Sequence, residues 1–309
     1  MSLTPPGQIL RLPPYASEIT DADEEIFLLY TRLAAVKSTD DNDATHFHGL
    51  GFVDSAHDRL PVRLEIKPRA PAEPDTVSSG ISRGARKKRK AMISHMVCEW
   101  ELWQDKTALR SRAGDTGSVL WQASVDFATF VLQQRYFPYP DSLFDVPQLA
   151  SARVVELGAG TGLLGTALGP LFAQYTATDI PALVPLLHKN MDNAKRNISA
   201  HALDWTLPAS RQLSDDVLRE PLDLILAVDC IYNPSLVPPL LSMISQLCTP
   251  NRTIALVVSE LRSEDVMREF MGGWLGREEE GWKLYSVNGE GAECLLGPRY
   301  AIWVGWRTI

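Results

Sequence analysis

Beyond residue 153, short apolar runs alternate with amphipathic stretches, the pattern of a parallel sheet threaded by helices. Residues 154–157 predict a strand, 162–172 a helix and 175–178 a second strand. Stretch 181–193 puts Leu183, Leu186 and Leu187 on one helical face, with Pro181 near its start. A weaker strand follows at 198–203. Stretch 222–228 is apolar throughout apart from Asp223, as the buried middle of a parallel sheet requires. Next come a helix at 236–247, a strand at 253–258, and Ser263 in position to cap a helix running to about Leu275. The last strands, 282–287 and 300–306, are separated by a Gly-rich turn at 289–297 and no helix, so they are expected to pair antiparallel. The predicted fold is α/β, a Rossmann-like seven-stranded sheet, mostly parallel with an antiparallel last strand.

Before this core, Val119 and Leu120 lead into a helix carrying Val125, Phe127, Ala128, Phe130 and Val131. The first hundred residues read as an α+β extension. Stretch 25–34 is helical by pattern, and 62–66 and 96–103 alternate as strands, with Met96, Cys98, Trp100 and Leu102 on one face. Between those strands the chain is rich in Pro, Ser, Gly and charge and predicts a flexible loop over about 68–92. The expected division is an extension at 1–112 and a cofactor-binding domain at 113–309.

Composition narrows the class. The chain has 309 residues, 45% hydrophobic and 22% charged, ordinary for a soluble globular protein. No run reaches the roughly 18 apolar residues of a membrane span. Four prolines and an acidic patch at 21–25 occupy the start, with no basic segment followed by an apolar one, so a cytoplasmic protein with access to the nucleus is expected. Cys98, Cys230, Cys248 and Cys294 lack metal-ligand spacing and read as reduced thiols. His46 and His48 are two residues apart with no third ligand nearby in sequence, so no metal is expected. Net charge is −8, which argues against a general nucleic-acid surface and suits a basic protein partner. Six cations in positions 83–90 read either as a solvated loop or as a nuclear signal or RNA contact on ribosomes. Nothing suggests a symmetric interface, so a monomer is expected.

The chemistry concentrates at predicted strand ends. Gly160-Thr-Gly162-Leu-Leu-Gly165 satisfies the dinucleotide fingerprint, and Asp179 follows 19 residues after Gly160 (179 − 160), where an acid accepts from ribose hydroxyls. A nicotinamide dehydrogenase is therefore one reading. The motif extends upstream, however, as Glu156-x-Gly158-Ala159-Gly160-x-Gly162. An acid ahead of the first glycine suits the cationic methionine end of S-adenosylmethionine and would repel a pyrophosphate. Asp204-Trp205 closes the third strand, where an indole stacks on adenine and the carboxylate accepts from its amino group; a core tryptophan with a capping aspartate explains the pair equally well. At the fourth strand tip, Val228 precedes Asp229, Tyr232 and Asn233. A carboxylate here is costly unless it has a task, and this is where a substrate meets a cofactor. Tyr232 is also explained as an ordinary packing residue, and Trp121 as a core tryptophan. A Ser-His-Asp hydrolase has no support: the one Gly-x-Ser-x-Gly match, Gly80–Gly84, falls in the predicted loop and not at a strand-to-helix turn.

Thr116–Ser124, Val155–Gly162, Leu203–Trp205 and Asp229–Asn233 occur in an order and at intervals that resemble the seven-β-strand protein lysine methyltransferases of the methyltransferase-like twenty-one group. The front part is similar to that group's ribosomal lysine methyltransferases of fungi: Tyr30-Thr-Arg-Leu33, Leu64-Glu-Ile66 and the basic run Gly84–Lys90 all have counterparts there. The resemblance implies S-adenosylmethionine as cofactor, contacted by Trp121, Gly158, Ala159, Gly160, Asp179, Trp205 and Val228, with Glu156 as the acid before the turn. Val228 stands where relatives often carry alanine. Asp229–Asn233 matches the motif at the methyl-transfer site. The implied substrate is a lysine of a basic large-subunit ribosomal protein. A non-catalytic ribosome- or chaperone-binding module is the remaining alternative.

Overall fold

The computed structural model describes residues 4–39, 51–54, 56–69, 95–105, 117–191, 197–289 and 295–309. The basic run at 83–90, His46, His48, Cys294 and most of the predicted 68–92 loop lie outside the described residues.

Ten strands are described: β1 (Ser17–Glu18), β2 (Arg59–Ile66), β3 (Met96–Trp103), β4 (Arg153–Leu157), β5 (Gln174–Asp179), β6 (Ile198–Ala202), β7 (Leu224–Val228), β8 (Ile254–Glu260), β9 (Trp282–Ser286) and β10 (Tyr300–Arg307). Eight form one sheet in the order β1-β9-β10-β8-β7-β4-β5-β6. The β4–β8 ladders are parallel, whereas β10 runs antiparallel to both β8 and β9. The seven strands read from the sequence are all present. The eighth, β1, is a two-residue edge strand on β9. From β4 the chain winds one way through β5 and β6, then returns to β7 and winds the other way. The reversal opens a crevice at the carboxyl ends of β4 and β7, the place where open α/β sheets take ligands.

The central strands are buried on both faces, and their side chains sort by strict alternation. Leu224, Leu226 and Val228 of β7 join one core with Phe127, Phe130 and Leu164; Ile225 and Ala227 join the other with Leu240, Phe270 and Trp274. The first core is covered by α2 (Gln122–Tyr136), α4 (Leu163–Leu168) and α5 (Val184–Met191), and the second by α1 (Ala22–Thr39), α7 (Val237–Leu247) and α8 (Glu264–Leu275). Two single-turn helices, α3 (Val146–Leu149) and α6 (Asp215–Leu218), complete the set. The hairpin β2–β3 packs on α2 through Leu60, Val62, Leu64 and Ile66. Of the alternating face of β3, Leu102 is fully buried while Met96, Cys98 and Trp100 are partly buried against the same core.

Two helices differ from their predicted extents. The helix expected to reach Phe172 is α-helical only to Leu168 and continues as a 3₁₀ turn at Gly169–Leu171, because Pro170 cannot donate into the ladder. Ser263 stands at the N-cap of α8 in extended backbone but makes no side-chain cap bond; Glu264 and Asp265 place negative charge at the first turn instead.

Candidate cofactor and acceptor site

A cavity of about 480 Å³ opens at the carboxyl edge of β4, β5, β6 and β7. Its floor is the turn after β4. Gly158 (φ +68°) and Gly160 (φ +55°) are left-handed, a conformation costly for other residues. Space enforces the same choice. A Cβ on Gly158 would lie 2.8 Å from the Cys230 sulfur, and one on Gly160 would lie 3.0 Å from the Gly117 carbonyl oxygen. The missing side chains leave a backbone cradle that a ligand can approach closely.

Asp179 ends β5 and braces this cradle. Its Oδ2 accepts from the Gly160 N–H at 2.8 Å and its Oδ1 from the Ile180 N–H at 2.8 Å. Trp205 is half-buried, lines the cavity and lies beside Gly158. Asp204 also lines it, but its Oδ1 accepts from the Thr206 N–H at 2.9 Å and hydroxyl at 2.7 Å, the bonds of a turn-forming aspartate.

Not every predicted residue reaches the cavity. Trp121, Gly158, Ala159, Gly160, Asp179, Asp204, Trp205, Val228, Asp229, Tyr232 and Asn233 line it; Glu156 and Gly162 are not among its lining residues. Strand alternation turns Glu156 into the core, where its Oε2 accepts from the Tyr175 hydroxyl at 2.8 Å. Burial raises its carboxyl to about 8, and the negative charge of Asp179 adds to the effect. Asn233 uses its Oδ1 to accept from the backbone and hydroxyl of Ser235, at 3.1 and 2.9 Å, and so caps the short turn at Pro234–Leu236.

Asp229 follows β7 with φ +60°, unusual for a residue with a side chain. Its N–H is tied to the Val258 carbonyl at 2.7 Å, which holds this backbone in place. The side chain is 4% exposed. Its Oδ2 lies 2.5 Å from Arg262 Nη2, and its Oδ1 accepts weakly from the Glu260 N–H at 3.3 Å. Burial raises the carboxyl above the usual range, while Arg262 acts in the opposite direction. Arg262 also stacks on Trp121, 4.5 Å from the ring centroid. Sequence reading missed Arg262. Its position at the carboxyl end of the strand beside Asp229 was the available signal, but nothing local marks it.

A glycine cradle, an acid at the neighbouring strand tip and an indole wall, gathered at a topological switch point, define a doubly wound α/β protein built for a nucleoside-containing cofactor. A family model described as lysine methyltransferase matches residues 104–273, more than half of the chain, and the chain belongs to that family. Protein N-lysine methyltransferase METTL21A of Mus musculus is 34% identical over 118 residues, covering 38% of this chain and 53% of that one. EEF1A lysine methyltransferase 3 of Xenopus tropicalis is 30% identical over 112 residues, covering 36% and 48%. A protein of Schizosaccharomyces pombe named diaminohydroxyphosphoribosylamino-pyrimidine deaminase is 33% identical over 171 residues, covering 54% and 40%. The chain thus spans about half or less of these relatives' own lengths. Family membership makes S-adenosylmethionine the cofactor and sets the nicotinamide reading aside. No helix among the described residues is long and apolar enough to cross a membrane.

Proposed function

We propose that the protein transfers a methyl group from S-adenosylmethionine to a lysine Nζ of a basic protein, with a large-subunit ribosomal protein as substrate. One observation carries the reading: a single cavity is lined by both the glycine cradle with Asp179 and Trp205 and by Asp229 with Tyr232. The cofactor's nucleoside and the acceptor amine therefore have adjoining places.

The residues fit the cofactor. Gly158–Gly160 leaves room for close backbone approach, the Asp179 carboxylate lines the cavity at the strand tip where ribose hydroxyls would reach it, and Trp205 offers an aromatic face to adenine. Trp121, Ala159, Asp204 and Val228 complete the wall. Glu156 and Gly162 act from behind the turn, keeping its shape. When bound, S-adenosylmethionine supplies an electrophilic methyl group on a sulfonium sulfur.

The chain's own task is to align the amine and favour its neutral form. Deprotonating a free lysine at neutral pH costs roughly 4–5 kcal/mol. A half-dry channel walled by Trp121 and Tyr232 lowers that cost by disfavouring the ammonium. Asp229 accepts a hydrogen bond from the amine and orients its lone pair, and Asp229 or water takes the proton; Tyr232 narrows the approach and Asn233 fixes the turn that carries it. The balance of −8 suits a basic, lysine-rich partner, and the basic run at 83–90 would add a contact to ribosomal RNA. The protein acts as a monomer in the cytoplasm, with access to the nucleus, and residues 1–112 form an extension to the catalytic domain at 113–309.

The deaminase activity in one relative's name requires zinc held by a histidine and cysteines that include a Cys-x-x-Cys pair. Cysteines 98, 230, 248 and 294 include no such pair, so that activity is not carried over. The test is incubation with isotopically labelled S-adenosylmethionine and, in parallel, ribosomal proteins and elongation factor 1A, followed by mapping of labelled lysines by mass spectrometry. Label on a large-subunit protein is expected. Label on the elongation factor alone would replace the substrate, and label in no protein pool would sink the proposal.

A further inference from the structure

Arg262 sits in a built slot. Its Nη2 bridges Asp229 Oδ2 at 2.5 Å and Glu260 Oε2 at 2.9 Å, and its guanidinium lies over the Trp121 ring. The side facing the extension is closed by Gly51. A Cβ added at Gly51 would lie 2.6 Å from Arg262 Nη2 and 3.0 Å from two ring carbons of Trp121, and its backbone has φ +97°. Gly51 is itself clasped to the core: its carbonyl accepts from the Gln122 N–H and the Val53 N–H donates to the Leu120 carbonyl, both at 2.8 Å. Arg299 takes the other oxygen of Glu260 at 2.6 Å, so two guanidiniums balance two buried carboxylates.

We propose, building on the methyltransferase reading above, that Arg262 is a positioning residue: seated in the slot formed by Glu260, Trp121 and Gly51, it keeps the buried Asp229 carboxylate ionised and fixed where the acceptor amine arrives. An isolated carboxylate at this depth would take up a proton and lose its capacity to accept from an amine at both oxygens. The planar guanidinium prevents this by bridging two carboxylates while stacking on an indole, a combination the point charge of lysine reproduces only in part. The same fixed cation disfavours a second positive charge beside it, which pushes an incoming lysine toward its neutral, nucleophilic form. The charged or titratable groups facing Asp229 are Arg262 and Glu260 from the β8 end, with Arg299 behind Glu260, and Cys230 and Tyr232 from its own turn. Of these only Arg262 opposes the effect of burial directly through its charge. The slot also makes the Gly51 segment of the extension part of the active centre.

The test reads Asp229 itself. Protein labelled with ¹³C at aspartate carboxyls is titrated by NMR, with the Asp229 resonance assigned through its loss in Asp229→Asn. Relative to wild type, the midpoint is expected to rise in Arg262→Gln and to rise less in Arg262→Lys. Gly51→Ala, which crowds the guanidinium out without altering a charge, should reproduce the direction. In the transfer assay, Arg262→Gln should lower kcat at least about tenfold, with the acid limb of its pH profile moved upward, and Arg262→Lys should recover part of the loss. An unmoved Asp229 midpoint in folded Arg262→Gln overturns the assignment. Should that variant fail to fold, unmoved midpoints in Arg262→Lys and Gly51→Ala overturn it equally. A raised midpoint in Arg262→Gln, combined with wild-type protein that transfers methyl to no protein, supports the Arg262–Asp229 coupling and strikes the methyltransferase reading instead.

Discussion

Glu156→Gln isolates the most perturbed carboxyl beneath the cofactor turn. In the folded protein this group titrates near 8, against 4.5 for an ordinary glutamate. Between those values the native state holds a proton that the unfolded chain has released, so stability must fall as pH rises across the window. A group with a raised folded pKa is most favourable to folding below the unfolded value, and its contribution is lost as pH climbs through the folded one. Each pH unit inside the window removes about 1.4 kcal/mol, and rounding at both ends leaves about 3–4 kcal/mol between roughly pH 5 and pH 8. Glutamine keeps the shape and still accepts from the Tyr175 hydroxyl, but has no proton to lose. Urea unfolding at a series of pH values should therefore show wild type losing stability toward alkaline pH more steeply than the variant. Asp229 is raised as well and contributes to the wild-type slope, but it is common to both proteins and cancels in the difference. Parallel stability curves over this window would refute the reasoning, because they would mean that Glu156 is ionised in the fold.

Trp205→Ala should weaken S-adenosylmethionine binding by about 1–3 kcal/mol, roughly five- to a hundred-and-fifty-fold in Kd, if the indole stacks on adenine; unchanged titration calorimetry would remove the stack. Asp229→Asn should retain cofactor affinity while kcat falls by about a hundredfold or more, and full turnover would take Asp229 out of the mechanism. Gly160→Ala must place a side chain at φ +55° against the Gly117 carbonyl. About 1–2 kcal/mol of stability should be lost from the left-handed backbone alone, together with cofactor affinity, and a thermal midpoint and Kd equal to wild type would contradict the cradle.

The strands and the glycine turn were legible because their signals are local. An all-apolar β7, an acid at the end of β5 and alternate glycines after β4 each announce themselves within a few residues. What stayed hidden depends on contacts distant in sequence. Asp229 meets Arg262 33 residues later, and Glu156 meets Tyr175 after 19, across a ladder whose register no single strand reveals. The acid before the turn was visible; that alternation would carry its side chain away from the cavity follows only once Val155 and Leu157 are known to face the opposite layer. β1 escaped notice for a similar reason: two residues on a sheet edge carry no periodicity, and their partner lies more than 260 residues away.

Such distant contacts also tie the N-terminal residues to the wall of the cavity. Gln104 is buried between Asp54, His57 and Leu120. Its Nε2 donates to the carbonyls of Asp54 and His57 at 2.9 and 3.0 Å, while its Oε1 accepts from the Leu120 N–H at 2.7 Å. One side chain thereby ties the approach to β2 to the residue just before Trp121. Phe52 bridges to Trp121 through the backbone and meets its ring edge-on, with centroids 6.1 Å apart. On the far face, Glu25 of α1 accepts from the indole N–H of Trp303 at 2.8 Å, both groups buried in the sheet's second core. Buried polar groups satisfied by partners distant in sequence are costly to expose, each by about 1–3 kcal/mol. The cavity wall at Trp121 is therefore held in shape by N-terminal residues as well as by the sheet.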